Sequence, residues 1–249
     1  RILEKGVRHR VGQLVQQVFK RTEESEESNK ESEKLENELT DLIQPLREEG
    51  LLAVSTVIEA NHFLHGISVV TQSLKGMPLP PNVMFLSMSD NPDKDERLEQ
   101  LISMAMREEL GIIVLNLSSE RGFGREKDIN MWLRSGSPNR NLSILTAIQL
   151  EKNWNGNLKL LRMVEKEKDI SKAQVGLEAI ARRGRLPHDC EKLILSGTFP
   201  DGLKNGPTAD INIFGISDEI SVSEMHTITS KVKTTCLFIK DSGQESALA

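Results

Sequence analysis

Along residues 2–19 the apolar side chains fall at Leu3, Val7, Val11, Leu14, Val15 and Val18, the spacing of a helix face rather than a strand. The opposite face carries Arg1, Lys5, Arg8, Arg10, Lys20 and Arg21 against Glu4 alone. A second helix is predicted over 35–49 from Leu35, Leu39, Leu42, Ile43 and Leu46, with Gly50 where helices commonly stop. Beyond it, short apolar runs alternate with amphipathic stretches. Strands are predicted at 51–58, 83–88 and 112–117, with helices at 63–74 and 95–110, and residues 75–81 (KGMPLPP) mark a break. A basic, Gly-containing stretch at 119–127 (SERGFGREK) reads as a linker. The alternation then restarts. Strands are predicted at 129–133, 158–164, 192–195, 211–216 and 236–239, and helices at 141–154, 170–183 and from Ser221 to about 232, where Ser221 and Glu224 make an S-x-x-E capping box. Near-continuous apolar strands between helices predict an α/β fold, its mainly parallel sheet covered by helices.

The two halves resemble each other. Residues 82–90 (NVMFLSMSD) lie over 210–218 (DINIFGISD), and each is followed by a helix and a buried strand. The offset is 128 residues at the first of these strands and close to 124 at the last. Matching element order at similar spacing predicts duplicated α/β units. The second half reads β-α-β-α-β-β-α-β, an order that resembles the universal stress protein fold, in which five parallel strands have the first at the centre. In the first half no strand is found before the helix at 35–49. The expected organisation is a basic connector helix at 1–21, an acidic linker at 22–34, a first α/β half at 35–126 lacking its first strand, and a second α/β half at 127–249.

Charge and composition narrow the function. Residues 22–39 hold eight Glu against two Lys, a net of −6 in a chain whose total is −5, so the acidity belongs to one segment. Such a run is a solvated linker or an exposed helix. Two Cys in 249 residues exclude a disulfide scaffold and fit a reducing compartment. No stretch approaches the roughly 20 apolar residues of a membrane span. The chain opens on Arg1, which reads as a fragment. Aromatics are 4% and the strongest basic cluster, Arg182, Arg183 and Arg185, ends a helix where cations complement the dipole, so no nucleic-acid partner is expected.

Catalytic signatures are absent: there is no phosphate loop, nucleophile elbow, dinucleotide fingerprint or H-E-x-x-H. The loop after the predicted strand at 211–216 offers a phosphate only Gly215, and Asp218 and Glu219 would oppose it. His62 and His65 share a helix start, but metal binding needs further ligands, and the ordinary reading is solvent-facing. Cys190 and Cys236 open or occupy strands and read as small buried hydrophobes, and His188 beside Cys190 does not change that. Trp132 and Trp154 read as packing residues. No catalytic, cofactor or metal residue is assigned. An enzyme would need a cleft at the strand ends, where Asp90, Ser118, Ser135 and Asp218 lie, residue types that also make turns and caps.

Several phrases in order resemble the C-terminal domain of prokaryotic cation–chloride cotransporters: residues 50–58 (GLLAVSTVI), 65–72 (HGISVVTQ), 81–86 (PNVMFL), 128–133 (DINMWL), 158–164 (LKLLRMV) and 209–215 (ADINIFG). Asn130 departs from the family's usual Val, and the turn after that strand is Ser135-Gly136-Ser137-Pro138. The resemblance implies two universal-stress-protein-like halves on the cytoplasmic face of a membrane, tied to a transmembrane domain of the same chain that carries chloride with sodium or potassium. It further implies homodimerisation, regulation of transport and no catalysis. The basic helix at 1–21 would then face an anionic membrane surface. The competing reading is a soluble tandem universal-stress-type protein that senses a nucleotide or small anion.

Overall fold

A computed structural model describes residues 26–248 apart from 52, 59, 61, 79, 135–139 and 218–220, and for 26–31 the backbone alone. The expected connector helix at 1–21 lies outside the described residues, as do Asp218 and the turn at 135–138. The chain forms two compact units that meet between Pro80 and Pro81.

The first unit holds two described helices, α1 (Glu26–Glu48) and α2 (Phe63–Lys75). Most of the acidic run is therefore helical, the exposed-helix alternative rather than an irregular linker. Helix α1 ends at Gly50, which sits at φ +81° where only glycine is relaxed. Among the described residues of 51–58 the predicted strand does not form. Its described residues keep an alternation of exposed and half-buried positions, with Val54 71% exposed, but pair with nothing. A strand is defined by hydrogen bonds to a neighbour, so an apolar alternating run without one stays an extended segment. The carbonyl of Ala53 instead accepts the Arg47 Nε–H at 2.8 Å.

The second unit is a seven-stranded sheet. Its elements are β1 (Val83–Ser87), α3 (Asp95–Arg107), β2 (Gly111–Asn116), β3 (Asp128–Trp132), α4 (Asn141–Trp154), β4 (Asn157–Val164), α5 (Ile170–Arg183), β5 (Glu191–Ser196), β6 (Ile211–Gly215), α6 (Val222–Val232) and β7 (Thr235–Lys240). In space the strands run β1-β2-β7-β6-β3-β4-β5, all pairs parallel except β2 with β7. The second half alone is thus β5-β4-β3-β6-β7 with its first strand central, as expected. The central strands β3, β6 and β7 are buried on both faces, which is why they read as continuous apolar runs.

The repeat is a geometric fact. In the antiparallel β2–β7 ladder Val114 opposes Phe238, Ile113 opposes Ile239 and Leu115 opposes Leu237. A shift of 124 residues carries Val114 onto Phe238 and exchanges the other two pairs. A pseudo-two-fold axis therefore passes normal to the sheet through the Val114–Phe238 pair. Strand β1 registers Val83 on Gly111, and β6 registers Ile211 on Thr235, separations of 28 and 24 residues. That difference of four accounts for the drift from 128 to 124. Helices α3 and α6 are exchanged by the same axis and meet on one face, where His226 Nε2 lies 3.1 Å from the Asp95 carboxylate. Helices α4 and α5 cover the other face over β3 to β7.

Candidate functional site

The chain order reverses between β3 and β6. From β3 it runs outward to β4 and β5, then returns to β6 on the other side. In open parallel sheets the crevice outside the strand carboxyl ends at such a reversal is the default binding place. Beside that crevice, at the carboxyl ends of β3 and β4, lies a cavity of about 160 Å³ lined by Trp132, Leu133, Arg134, Met163, Glu165, Gly197 and Phe199. Such a volume suits one small ring-sized molecule or a few waters.

Trp132 is held from three sides. Its Nε1–H donates to Asn212 Oδ1 at 2.8 Å, its ring stacks on Phe214 at 6.0 Å, and Gly206 approaches so closely that a methyl there would fall 2.7 Å from the indole. The Asn212 amide donates in turn to Thr234 Oγ1 at 2.8 Å, and Asn130 Nδ2 donates to the Pro207 carbonyl at 2.7 Å. The departure at Asn130 thus ties the loop at 197–207 to the middle of the sheet. Trp132 is a packing residue, as read from the sequence, and also a cavity wall.

Arg134 closes the β6 side. Its guanidinium lies 4.4 Å from the Phe199 ring centroid, and Nη1 donates to Glu224 Oε1 at 3.0 Å. Glu224 sits in the first turn of α6, whose Ser221 hydroxyl accepts the Glu224 amide at 3.3 Å, the cap expected from S-x-x-E. The helix end that would attract an anion in this crevice is therefore met by a carboxylate of its own chain. Among the described residues no nucleophile, base and oxyanion donors converge here.

The other sequence candidates lie apart. His62 and His65 are exposed at the start of α2. Among the described residues no three His, Cys, Asp or Glu side chains gather as a metal site would need. Cys190 and Cys236 are free and buried; burial pushes the Cys190 thiol up to about 11 and Cys236 further. Asp90 is exposed after β1. Ser118 serves the turn after β2, accepting the Arg121 amide at 3.3 Å while its own amide donates to Thr235 Oγ1. Neither reaches the crevice.

Two carboxylates that the sequence reading missed organise the second unit. Asp210 accepts the amides of Arg125, Lys127 and Asp128 at 3.1, 2.9 and 3.0 Å, and Gly124 at φ +56° makes room for it. The stretch read as a linker is thereby clamped to the start of β6. Asp241 accepts the amides of Arg140, Asn141 and Leu142 at 3.0, 2.8 and 3.1 Å, capping α4 from the far end of the chain. No local motif marks either residue, because each partner lies some 80 to 100 positions away.

A family model described as the prokaryotic cation-chloride cotransporter C-terminal domain, first part, matches residues 25–123, and its second-part counterpart matches 124–248. The chain belongs to that family. The cotransporter domain is also similar to the crystal structure of the cytoplasmic domain of a prokaryotic cation chloride cotransporter, with 24% identity over 85% of this chain and 81% of the other at a TM-score of 0.78. A universal stress protein from Archaeoglobus fulgidus DSM 4304 is similar at 13% identity, 88% and 81% coverage and a TM-score of 0.57. At these identities both likenesses speak for the fold. No curated protein matches the chain. Among the described residues no helix is long and apolar enough to cross a membrane.

Proposed function

We propose that the chain is the cytoplasmic regulatory and dimerisation domain of a membrane transporter that moves chloride together with sodium, potassium or both. The observation that carries this reading is the ordered pair of family matches spanning nearly the whole chain. The domain works without catalysis, through its fold. Residues 1–21 connect it to the transmembrane part of the same chain and set their basic face against anionic lipid headgroups. Residues 35–126 and 127–249 are its two repeats. Paired domains hold two transport units in one geometry and bias their conformations. The test is ion flux through the full-length transporter after the two tails are locked by an engineered crosslink. A changed rate is expected, and an unchanged one overturns the regulatory role.

A further inference from the structure

The cavity at the carboxyl ends of β3 and β4 plays no part in the transport reading, yet its walls specify a ligand. Strands β3 and β4 are parallel neighbours, with Trp132 in register with Leu161. That pairing brings Trp132 and Arg134 beside Met163 and Glu165 at the end of β4, and the loop after β5 adds Phe199. The Trp132 indole is fixed by Asn212 and Phe214, so this wall is built before any ligand arrives.

Two aromatic rings and a thioether make the cavity apolar and polarisable. The faces of aromatic rings carry negative potential that attracts cations. Phe199 already shows this, with the Arg134 guanidinium 4.4 Å from its ring centroid. The charges sort the same way. Arg134 is matched by Glu224 at 3.0 Å, so the lining holds no unmatched cation for an anion to meet. Glu165 is exposed and forms no ion pair among the described residues. The lining together with Glu224 therefore carries one uncompensated negative charge. A metal ion would need several oxygen donors, and among the described residues no such set gathers. What fits is a cation with an apolar body.

We propose that this cavity binds a small organic ammonium ion, its alkyl groups against Trp132, Met163 and Phe199 and its charge towards Glu165. The volume of about 160 Å³ limits the ligand to one compact cation. Binding here requires neither dimerisation nor ion flux, so its failure would leave the proposed function standing.

The test titrates the 249-residue chain with three probes of similar shape and different charge: tetramethylammonium, neutral tert-butanol and anionic pivalate. The readout is the indole N–H signals in NMR, assigned with Trp132→Phe. Trp154, which packs on Phe123 outside the lining, serves as the internal reference. A saturable shift of the Trp132 signal with tetramethylammonium is expected, with the Trp154 signal unmoved. Tert-butanol is expected to bind about 10-fold more weakly, and Glu165→Gln to weaken tetramethylammonium by about the same factor. Phe199→Leu, which keeps the bulk and loses the ring face, is expected to weaken it about 3-fold. Circular dichroism matching the parent confirms that each variant is folded. Equal affinity for tert-butanol, or tighter binding of pivalate, overturns cation recognition. An affinity unchanged in both folded variants overturns the assigned walls. No saturable shift with any probe overturns the site.

Discussion

Asp210 and Asp241 do the same job in two regions with opposite electrostatic results. Each carboxylate accepts three backbone amides and ties together segments distant in sequence. At Asp210 burial pushes the carboxyl up, but the amides of Asp128, Lys127 and Arg125 outweigh it, and it titrates below the usual carboxylate range. At Asp241 deeper burial dominates its three amides, and the charge of Glu245 adds to it, so the carboxyl titrates above that range. Equal hydrogen bonding does not give equal charge stability. What differs is the water each carboxylate gives up and the sign of its neighbours.

The sharpest way to break the comparison is Asp210→Ala, which strands three amides and frees the 123–127 segment. A cost of about 3 kcal/mol is expected, and a melting temperature lower by roughly 6–12 °C, measured by thermal unfolding at neutral pH. The pH dependence separates the two sites next. A lowered folded pKa gives stability that is present above the unfolded value of 3.8 and is lost as pH falls through the folded value. The parent chain should therefore lose urea resistance on acidification below pH 3.8, and Asp210→Asn should flatten that fall.

Asp241 should behave in reverse. Its raised folded pKa means the folded chain holds the proton more tightly, so its contribution declines as pH rises from 3.8 through the folded value. Asp241→Asn keeps an acceptor for the α4 amides and removes the buried charge, so at pH 7 its urea midpoint should shift by no more than about 1 kcal/mol equivalent. Asp241→Ala, with no acceptor, should cost more than Asp241→Asn. The smallest effect belongs to Glu245→Gln, which removes a charge that raises Asp241. Carboxyl chemical shifts followed by NMR should show Asp241 titrating lower in that variant, and no movement would exclude Glu245 as a cause.

Much of the fold was legible because it is local. Residues 141–154 and 170–183 carry helix spacing and form α4 and α5 with the expected bounds, and apolar runs at 129–133 and 211–216 become β3 and β6 to within a residue. The repeat showed itself as an offset, and the capping box at Ser221 as a motif. The segment 51–58 shows the limit: its composition is that of a strand, but pairing needs a neighbour. The crevice was legible only as a list of strand-end residues. Asp90 and Ser118 were on it and lie elsewhere, while Phe199, Met163 and Glu165 were not and line the cavity.

By itself the sequence determined the helices and strands of residues 81–249 to within a few positions, that the central strands would be buried on both faces, and that the chain is built from repeated units with the order of a cotransporter tail. Those properties depend on side-chain periodicity within a few residues. Only the tertiary structure decided that the two halves share one sheet through an antiparallel β2–β7 ladder, and that Asp210 and Asp241 clamp the linker and α4. Each is a contact between residues far apart in the chain. Such contacts are settled by how the elements pack and by which backbone amides are left to be satisfied.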